Sequence, residues 1–259
     1  MKNKLKKILF YLTLSFFIIT NPYSEEIINF NVSEIEITQD GNLIKGFKGG
    51  EAFTNNGVSI LAKEFEYNKI STHLTAVGDV IFKDKNKEIT IVADKILYKK
   101  NEEEVVANGN VKITDNTKNL NIFANKIIYF KNSDQIKAIQ NVLLQDNDTN
   151  TMIKANEIKY SKNEEIFHAT GNVKLNEFKR DIVIETNEIT YKKKLSKIST
   201  KGKTKALIHS KYKFNSKNLI FLKNKSKLIS SNKTEIEDDG NSSYVLDSFE
   251  YQINTKFLK

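Results

Sequence analysis

The hydrophobic pattern of this chain repeats every 30 or 31 residues. It is clear in TIVADKILYKKNEEEVVANGNVKITD, residues 90–115, and again in NIFANKIIYFKNSDQIKAIQNVLLQD, residues 121–146. The first half of each unit reads apolar–x–small–x–x–apolar–x–aromatic. One instance is Ile91, Ala93, Ile96 and Tyr98. A fixed period of this length is typical of repeat proteins, in which each unit buries its apolar face against its neighbours.

The second half of each unit alternates. Every second residue is apolar or small, and the residues between are mostly Lys, Asn, Asp or Glu. One instance is Val105, Ala107, Gly109, Val111 and Ile113. A period of two predicts a β-strand with one buried face, whereas a helix would need apolar residues three and four apart.

The first half contains a break in this alternation. Ala93 and Ile96 differ in parity, so a regular strand would send their side chains to opposite faces, and the same shift occurs in every copy. One extra residue there, a bulge or corner, would return both ends of the strand to the inner face and bend it. The unit is then a hairpin of two strands, one of them bent. We therefore predict an all-β protein, a twisted stack of about eight antiparallel two-strand repeats, because a single hairpin is marginal in water.

The inward columns of this stack form the candidate binding surface. Small residues at fixed depths, such as Ala76 and Ala107, either let two facing sheets approach closely or leave a lengthwise trough, and the sequence leaves both arrangements open. If a trough forms, the candidate lining residues are Ile60, Phe65, Tyr67, Val80, Phe82, Ile91, Ile96, Tyr98, Val111, Ile113, Ile122, Ile127, Tyr129, Val142, Leu144, Ile153, Ile158, Tyr160, Val173, Leu175, Ile184, Ile189 and Tyr191. The tyrosine column could stack bases or sugars, but core packing with the hydroxyl at the rim is the commoner role.

The repeat resembles that of the OstA/LptA-like domain family of lipopolysaccharide (LPS) transport. The shared pattern, A-x-x-I-x-Y followed by A-x-G-x-V-x-[IL], is clearest at ADKILY…VANGNVKI (93–113) and ANEIKY…HATGNVKL (155–175). The resemblance extends from about Phe30 to Tyr251. It implies an open β-jellyroll folded into a V, whose apolar interior holds the acyl chains of lipid A.

The resemblance also implies partners. Family members join head to tail through exposed edge strands and bridge the periplasm, from an inner-membrane extractor driven by ATP to an outer-membrane translocon. We therefore expect LPS and other jellyroll proteins of the pathway as partners, with self-association as a further possibility. No cofactor is expected. The candidate docking residues lie in the degenerate first and last repeats, for which ordinary capping of a repeat array is the alternative. They are Phe30, Val32, Ile35, Phe249 and Tyr251.

Two types of family member fit the pattern. The chain is either an LptA-type soluble bridge protein or the periplasmic N-terminal region of an LptD-type translocon. The translocon carries a large C-terminal barrel and usually cysteines. This chain has no cysteine and stops after the repeats, which argues against an intact translocon.

The N-terminus predicts export. A basic segment, Met1–Lys7, precedes an apolar run, Ile8–Thr20, which is too short for a comfortable transmembrane helix. We expect a signal peptide over residues 1–24, a mature jellyroll domain over residues 25–259, and a periplasmic location in association with inner- and outer-membrane complexes. An uncleaved anchor is the alternative.

The formal net charge of +9 changes this picture little. Lys and Glu interleave throughout, which indicates a solvated face rather than a nucleic-acid track. Weak attraction to anionic membrane components or phosphorylated lipids is a secondary expectation.

Catalysis and metal binding find no support in the sequence. His73, His168 and His209 fall in different repeat columns, and the chain has no Cys and no motif such as HExxH or GxSxG. Acids recur after the second strand, where they could bind Ca²⁺ but are more simply explained as turn caps. They are Asp84, Asp115, Asp146 and Glu177.

Two other architectures share the alternating pattern. An outer-membrane β-barrel would need aromatic girdles that these strands lack. A purely structural β-solenoid, such as an adhesin stalk, would have a dry and fully packed interior that takes up no lipid.

Overall fold

The structure, a computed structural model, describes residues 27–240 and 242–259, most of which lie in antiparallel strands. The expected signal peptide, residues 1–24, lies outside the described residues. No helix within those ranges is long and apolar enough to span a membrane. Short 3-10 helices occur in turns at Phe178–Arg180, Lys193–Leu195 and Lys223–Lys225. The strands are β1 (Ile28–Thr38), β2 (Leu43–Thr54), β3 (Val58–Ala62), β4 (Glu64–Asn68), β5 (His73–Asp84), β6 (Ile89–Lys99), β7 (Glu104–Asp115), β8 (Leu120–Phe130), β9 (Gln135–Asp146), β10 (Thr151–Ser161), β11 (Ile166–Glu177), β12 (Ile182–Lys192), β13 (Lys197–Ile208), β14 (Tyr212–Lys217), β15 (Ile220–Leu222), β16 (Lys227–Ser230), β17 (Thr234–Glu237), β18 (Ser243–Leu246), β19 (Phe249–Gln252) and β20 (Phe257–Leu258).

The strands form one antiparallel meander. From β5 to β13 each strand pairs with the strand before it and the strand after it. In the outer repeats the long bent strand is divided into two pieces, as β3 and β4 both pair with β2 and with β5. At the N-terminal end β1 pairs with β2 alone among the described strands, so the sheet does not close on itself. The predicted all-β, open jellyroll stack is confirmed.

From β5 to β13 each ladder shifts its register at the same depth. The β6–β7 ladder shifts between Val92 and Lys95, opposite Gly109 and Asn110. These two residues have φ of +77° and +45°, in the left-handed region that Gly and Asn tolerate best. The predicted bulge is therefore present, but the extra residue lies in the alternating strand of the hairpin, not in the strand that carries Ala93 and Ile96. The alternating strand supplies the residue types that tolerate this region best, as in Gly109–Asn110 and Gly171–Asn172, although Gln140–Asn141 adopts the same conformation in β9.

The bend divides the sheet into two half-sheets that face each other. Half-sheet A contains the segment of β5 that includes Phe82 and the strand segments paired alongside it. Half-sheet B contains the segment of β6 that includes Tyr98 and the strand segments paired alongside that one. The rings of Phe82 and Tyr98 lie 5.9 Å apart, centroid to centroid. The turns at the free edge of half-sheet A form rim A, and those at the free edge of half-sheet B form rim B. Rim A comprises residues 84–88, 115–119, 146–150 and 177–181, and rim B comprises residues 99–103, 130–134, 161–165, 192–196 and 222–226. One continuous hydrophobic core fills the space between the half-sheets.

We predict that Gly109→Ala destabilises the protein more than Gly202→Ala, its matched control at the same depth of a later repeat. Both changes force Ala into the left-handed region, at a cost of about 1–2 kcal/mol each. At Gly109 the new methyl carbon would also lie 2.9 Å from Cβ of Asp94, whereas nothing lies within 4 Å at Gly202. Urea unfolding of both variants measures the difference, and equal losses would show that the contact with Asp94 adds no cost.

Candidate functional site

The structure brings all 23 candidate lining residues together on the inner faces of the half-sheets. None of them exposes more than 6% of its surface, and all belong to one core cluster. Ala76 and Ala107 lie between the larger side chains and are fully buried. Of the two arrangements left open by the sequence, the structure adopts the close approach. Side chain packs against side chain along the interior, which has no trough beside these residues.

Ion pairs join rim B to rim A along the seam where the V would open. Three of these pairs, which we call rungs, join a lysine of rim B to a carboxylate of rim A that lies 47 residues earlier in the chain. The pairs are Lys131–Asp84 at 3.8 Å, Lys162–Asp115 at 3.1 Å and Lys193–Asp146 at 3.0 Å. Two pairs run in the opposite direction, Lys87–Asp134 at 3.0 Å and Lys118–Glu165 at 2.7 Å. The rims interdigitate, and the seam is closed along the middle repeats.

The rim carboxylates take part in two kinds of interaction, turn-capping hydrogen bonds and ion pairs across the seam. Asp115 Oδ1 accepts hydrogen bonds from Thr117 N at 3.0 Å and Thr117 Oγ1 at 2.6 Å. Asp146 caps its turn in the same way, through Thr149. The turn-capping role predicted for the acids is therefore present. The same carboxylates also form the rungs, a role that the sequence analysis missed.

A sequence signal for the rungs was present. Each rung lysine follows the column tyrosine by two residues, as Lys162 follows Tyr160, and recurs every 31 residues. Alternation places this lysine on the inward face just beyond the end of the strand. The signal was overlooked because lysines are dense throughout the chain, and a partner 47 residues away is not a local feature.

The buried rungs carry a large penalty for a missing partner. The side chains of Asp115 and Lys162 expose 1% and 11% of their surface. A buried pair contributes little net stability because both charges lose their hydration, but removal of one partner leaves the other uncompensated, at a cost of about 3–5 kcal/mol. The rungs therefore define how the rims meet more than they add to the free energy of unfolding.

The tyrosine hydroxyls reach the rims from inside. Tyr191 Oη lies 3.3 Å from Asp146 Oδ2 and 3.3 Å from Thr149 Oγ1. Burial, and then the carboxylates of the rim, raise the pKa of Tyr129 well above the ordinary value of a phenol. The pKa of Tyr160 is raised for the same reasons. These tyrosines stay neutral and serve as packing groups with one polar end.

The three histidines do not meet. His73 lies 3.5 Å from Glu102, His168 lies 3.2 Å from Thr190, and His209 lies in the turn between β13 and β14. Among the described residues no group of three or more His, Cys, Asp or Glu side chains is placed to hold a metal ion.

The candidate docking residues divide into two groups. Phe30 and Val32 of β1 pack partly against the core, and Ile35 of the same strand is exposed. In contrast, Phe249 and Tyr251 are buried in β19, which is covered on its outer side by β20. At the C-terminal end β18 and β20 carry the free edges, and Phe249 and Tyr251 lie in β19, between β16 and β20.

We predict a strong non-additivity between the partners of the middle rung. Asp115→Asn keeps the turn cap but leaves Lys162 buried without a negative partner, which should cost about 3 kcal/mol. In the double variant Asp115→Asn/Lys162→Met no charge is left uncompensated, so at least half of that loss should return. Urea unfolding of the two single variants and the double variant completes the cycle.

The control for this cycle is an exposed pair. Lys174 and Glu185 lie 2.9 Å apart, each about half exposed, so Glu185→Gln should cost less than about 1 kcal/mol. Simple additivity of Asp115→Asn and Lys162→Met would contradict the paired role of these two residues.

Comparison with known proteins gives a family match. The family model of the LptA/(LptD N-terminal domain) LPS transport protein matches residues 59–197, more than half of the chain. A search of curated proteins gives no match. Among solved structures, LptH of Pseudomonas aeruginosa, the LptA-homologous periplasmic component of its LPS transport device, aligns with a TM-score of 0.41 and 15% identity over 45% of this chain and 84% of the LptH chain. From the family match, with its repeats in register from Ser59 to Lys197, the chain belongs to the LptA/(LptD N-terminal domain) LPS transport protein family.

Proposed function

We propose that this protein is an exported, periplasmic LPS transport and assembly protein. In this proposal residues 1–24 direct export, and residues 25–259 form a jellyroll domain that shields acyl chains between its half-sheets and bridges the inner- and outer-membrane transport complexes. The observation that carries the proposal is the continuous apolar interior, which runs through all the repeats with the same residue types at the same depth. Either an LptA-type bridge or the N-terminal region of an LptD-type protein would use this interior in the same way.

Shielding is required by the energetics of the cargo. Exposing one CH₂ group to water costs about 0.8 kcal/mol, so an acyl chain of about a dozen carbons costs on the order of 10 kcal/mol. An interior lined by Ile, Val, Phe and Tyr removes that cost at every repeat. Since neighbouring repeats offer nearly the same surface, no position holds the chain much more tightly than the next, and the lipid can move along without a chemical step.

The closed interior sets a condition on this mechanism. To admit acyl chains, the half-sheets must separate, and the rungs that join the rims must part. Separation replaces contacts between side chains with contacts between side chains and acyl chains, an exchange of one apolar partner for another that costs little. The rims are joined only by side chains, whereas the bend is joined by the backbone of every strand, so the seam is where separation would occur.

A second candidate function follows from the packed interior itself. A structural stack that takes up no lipid would be filled along its length, and the near-complete burial of the 23 inward residues is the observation that favours it. Lipid uptake at these positions separates the two functions.

Bridging uses the ends of the stack. β1 pairs with β2 alone among the described strands, and its Ile35 and Ile37 are more than half exposed although alternation directs them inward. At the other end Val245 of β18 and Phe257 of β20 are exposed to a similar degree. Unpaired strand edges next to exposed apolar side chains are suited to β-strand addition by a similar jellyroll.

Photocrosslinking tests the location of the lipid. A photoreactive amino acid at Ile127, Ile158 or Val173 should form LPS adducts in living cells, and the same amino acid at the outward-facing neighbours Lys126 and Lys174 should not. Adducts only at the outward positions would contradict the inner location. The absence of adducts at all five would favour the structural stack.

Locking the seam tests the route of access. The chain has no cysteine, and Lys118 and Glu165 are paired across the rims at 2.7 Å. In Lys118→Cys/Glu165→Cys, a short bis-maleimide between the two thiols should abolish binding of LPS by the purified protein, and the same variant without the linker should bind as the wild type does. Unchanged binding after linkage would show that acyl chains do not enter through the middle of the seam.

Charging the free strand tests the joint. Ile35→Glu/Ile37→Glu should abolish end-to-end association, measured by light scattering at increasing concentration, because it places charges where an apolar neighbour must pack. Glu36→Ala, on the other face of the same strand, should leave association unchanged. Association that survives the double change would exclude the first strand as the joint.

A further inference from the structure

The fourth rung of the seam departs from the other three. By position it should pair Lys223 of rim B with Glu177 of rim A. Instead Glu177 is bound by Arg180, whose Nη1 lies 2.9 Å from Glu177 Oε1 and whose backbone N lies 3.0 Å from Glu177 Oε2. One carboxylate therefore faces two cations.

Lys223 is left without an acidic partner. Its Nζ donates to Thr151 Oγ1 at 2.5 Å, and within the described residues this is the one hydrogen bond that Nζ makes. Nζ also lies 5.1 Å from the centre of the Tyr191 ring. The residue exposes 6% of its surface, so the other two N–H groups of the ammonium have little access to bulk water.

Electrostatics at this rung favours an added negative charge. Burial lowers the pKa of Lys223 to about 8, against the opposing pull of Glu177 and Asp146. The positive charges of Arg180 and Lys193, which face Lys223, lower its pKa further. Because burial is the main cause of the lowered pKa, a further negative charge beside Nζ would stabilise the ammonium form.

A cavity lies at this rung. It has a volume of about 320 Å³, enough for far more than one water, and Lys179, Arg180 and Lys223 line it together with Thr149 and Ser196. Two carboxylates also line it, but both are engaged: Glu177 with Arg180, and Asp148 with Lys193 at 3.0 Å. The cavity thus combines an excess of cations with hydroxyl groups.

Arg180 adds specificity to this cavity. It is the only arginine in the chain, among 41 basic residues. Its Nε donates to Ser226 Oγ at 2.8 Å and its Nη2 to the carbonyl of Lys223 at 2.6 Å, which fix the guanidinium across the seam. Each guanidinium nitrogen thus already donates one hydrogen bond, and Nη1 and Nη2 each keep a second N–H for the oxygens of a phosphate.

We propose that the fourth rung is a phosphate-binding site, formed by Lys223 and Arg180 with Lys179 at its mouth. The phosphate is either free or part of a phosphorylated glycolipid headgroup. The second assignment rests on the proposed function, since the headgroup would be held at the seam while its acyl chains lie between the half-sheets. The first does not depend on it.

The test begins with inorganic phosphate and the full chain. Phosphate should bind to the wild type and raise the pKa of Lys223, followed by NMR at its ε-carbon, toward the ordinary value of lysine, because a bound anion stabilises the ammonium form. Lys223→Met should weaken phosphate binding about tenfold or more, the effect of losing one charge-assisted hydrogen bond. Lys225→Met, in the same turn but outside the cavity, should bind as the wild type does. Binding that is equal in all three proteins, or a Lys223 pKa that phosphate does not move, would overturn the site.

Weaker phosphate binding by Lys223→Met would not be explained by misfolding of the variant. Replacing a buried ammonium that lacks an acidic partner by Met should leave the melting temperature equal or higher, and the pKa measurement uses the unaltered chain. A second arm compares lipid A that carries its phosphates with lipid A from which a phosphatase has removed them. A preference for the phosphorylated form that Lys223→Met abolishes would support the headgroup assignment. Equal binding of both lipids, with phosphate binding intact, would support the anion site and contradict its use for the headgroup. Binding of neither lipid would contradict the proposed function while leaving the phosphate site in place.

Discussion

The structure depends on one constraint: a single long sheet must bury one of its faces against itself. No hairpin of this chain can do so alone, and no helix covers the inner face within the described residues. The long strands therefore bend at the same depth, and the two halves of the sheet close over a shared core. Neighbouring repeats extend this core rather than form cores of their own, which is why the unit recurs with so little change in its inward columns.

The half-sheets are joined in different ways at their two edges, the bend and the seam. At the bend the backbone itself turns, through consecutive residues in the left-handed region. At the seam the chain ends each half-sheet in polar turns, and lysines and carboxylates from opposite rims pair across the gap. The charges pair because their positions, just beyond the buried strand ends, remove them from water and leave few other partners. In the proposed function, this side is where the half-sheets would part to admit acyl chains.

The repeats are equivalent in the middle of the stack and different toward its ends. The first three rungs balance their charges, and the fourth, at Lys223, does not. The terminal strands expose apolar side chains that their equivalents in the middle bury. In the proposed function, the equivalence of the middle repeats suits the passage of acyl chains along the interior. The fourth rung and the terminal strands differ from the middle repeats, and these are the places where we expect a ligand or a partner protein to bind.

The sequence by itself determined the strands, their inward faces, the depth of the bend and the turn-capping acids, because each of these depends on residues close together in the chain. It did not settle which strand carries the extra residue: Gly109 and Asn110 are a local sign, but the position of the bulge depends on the pairing of both strands. Nor could it decide between a trough and a packed interior, because Ala at a given depth permits both. The partners of the rungs belong to the tertiary structure alone: Lys162 meets Asp115, 47 residues away, only because the facing half-sheets are staggered by one and a half repeats. That stagger is a property of the bent and twisted sheet as a whole, and no local stretch of sequence contains it.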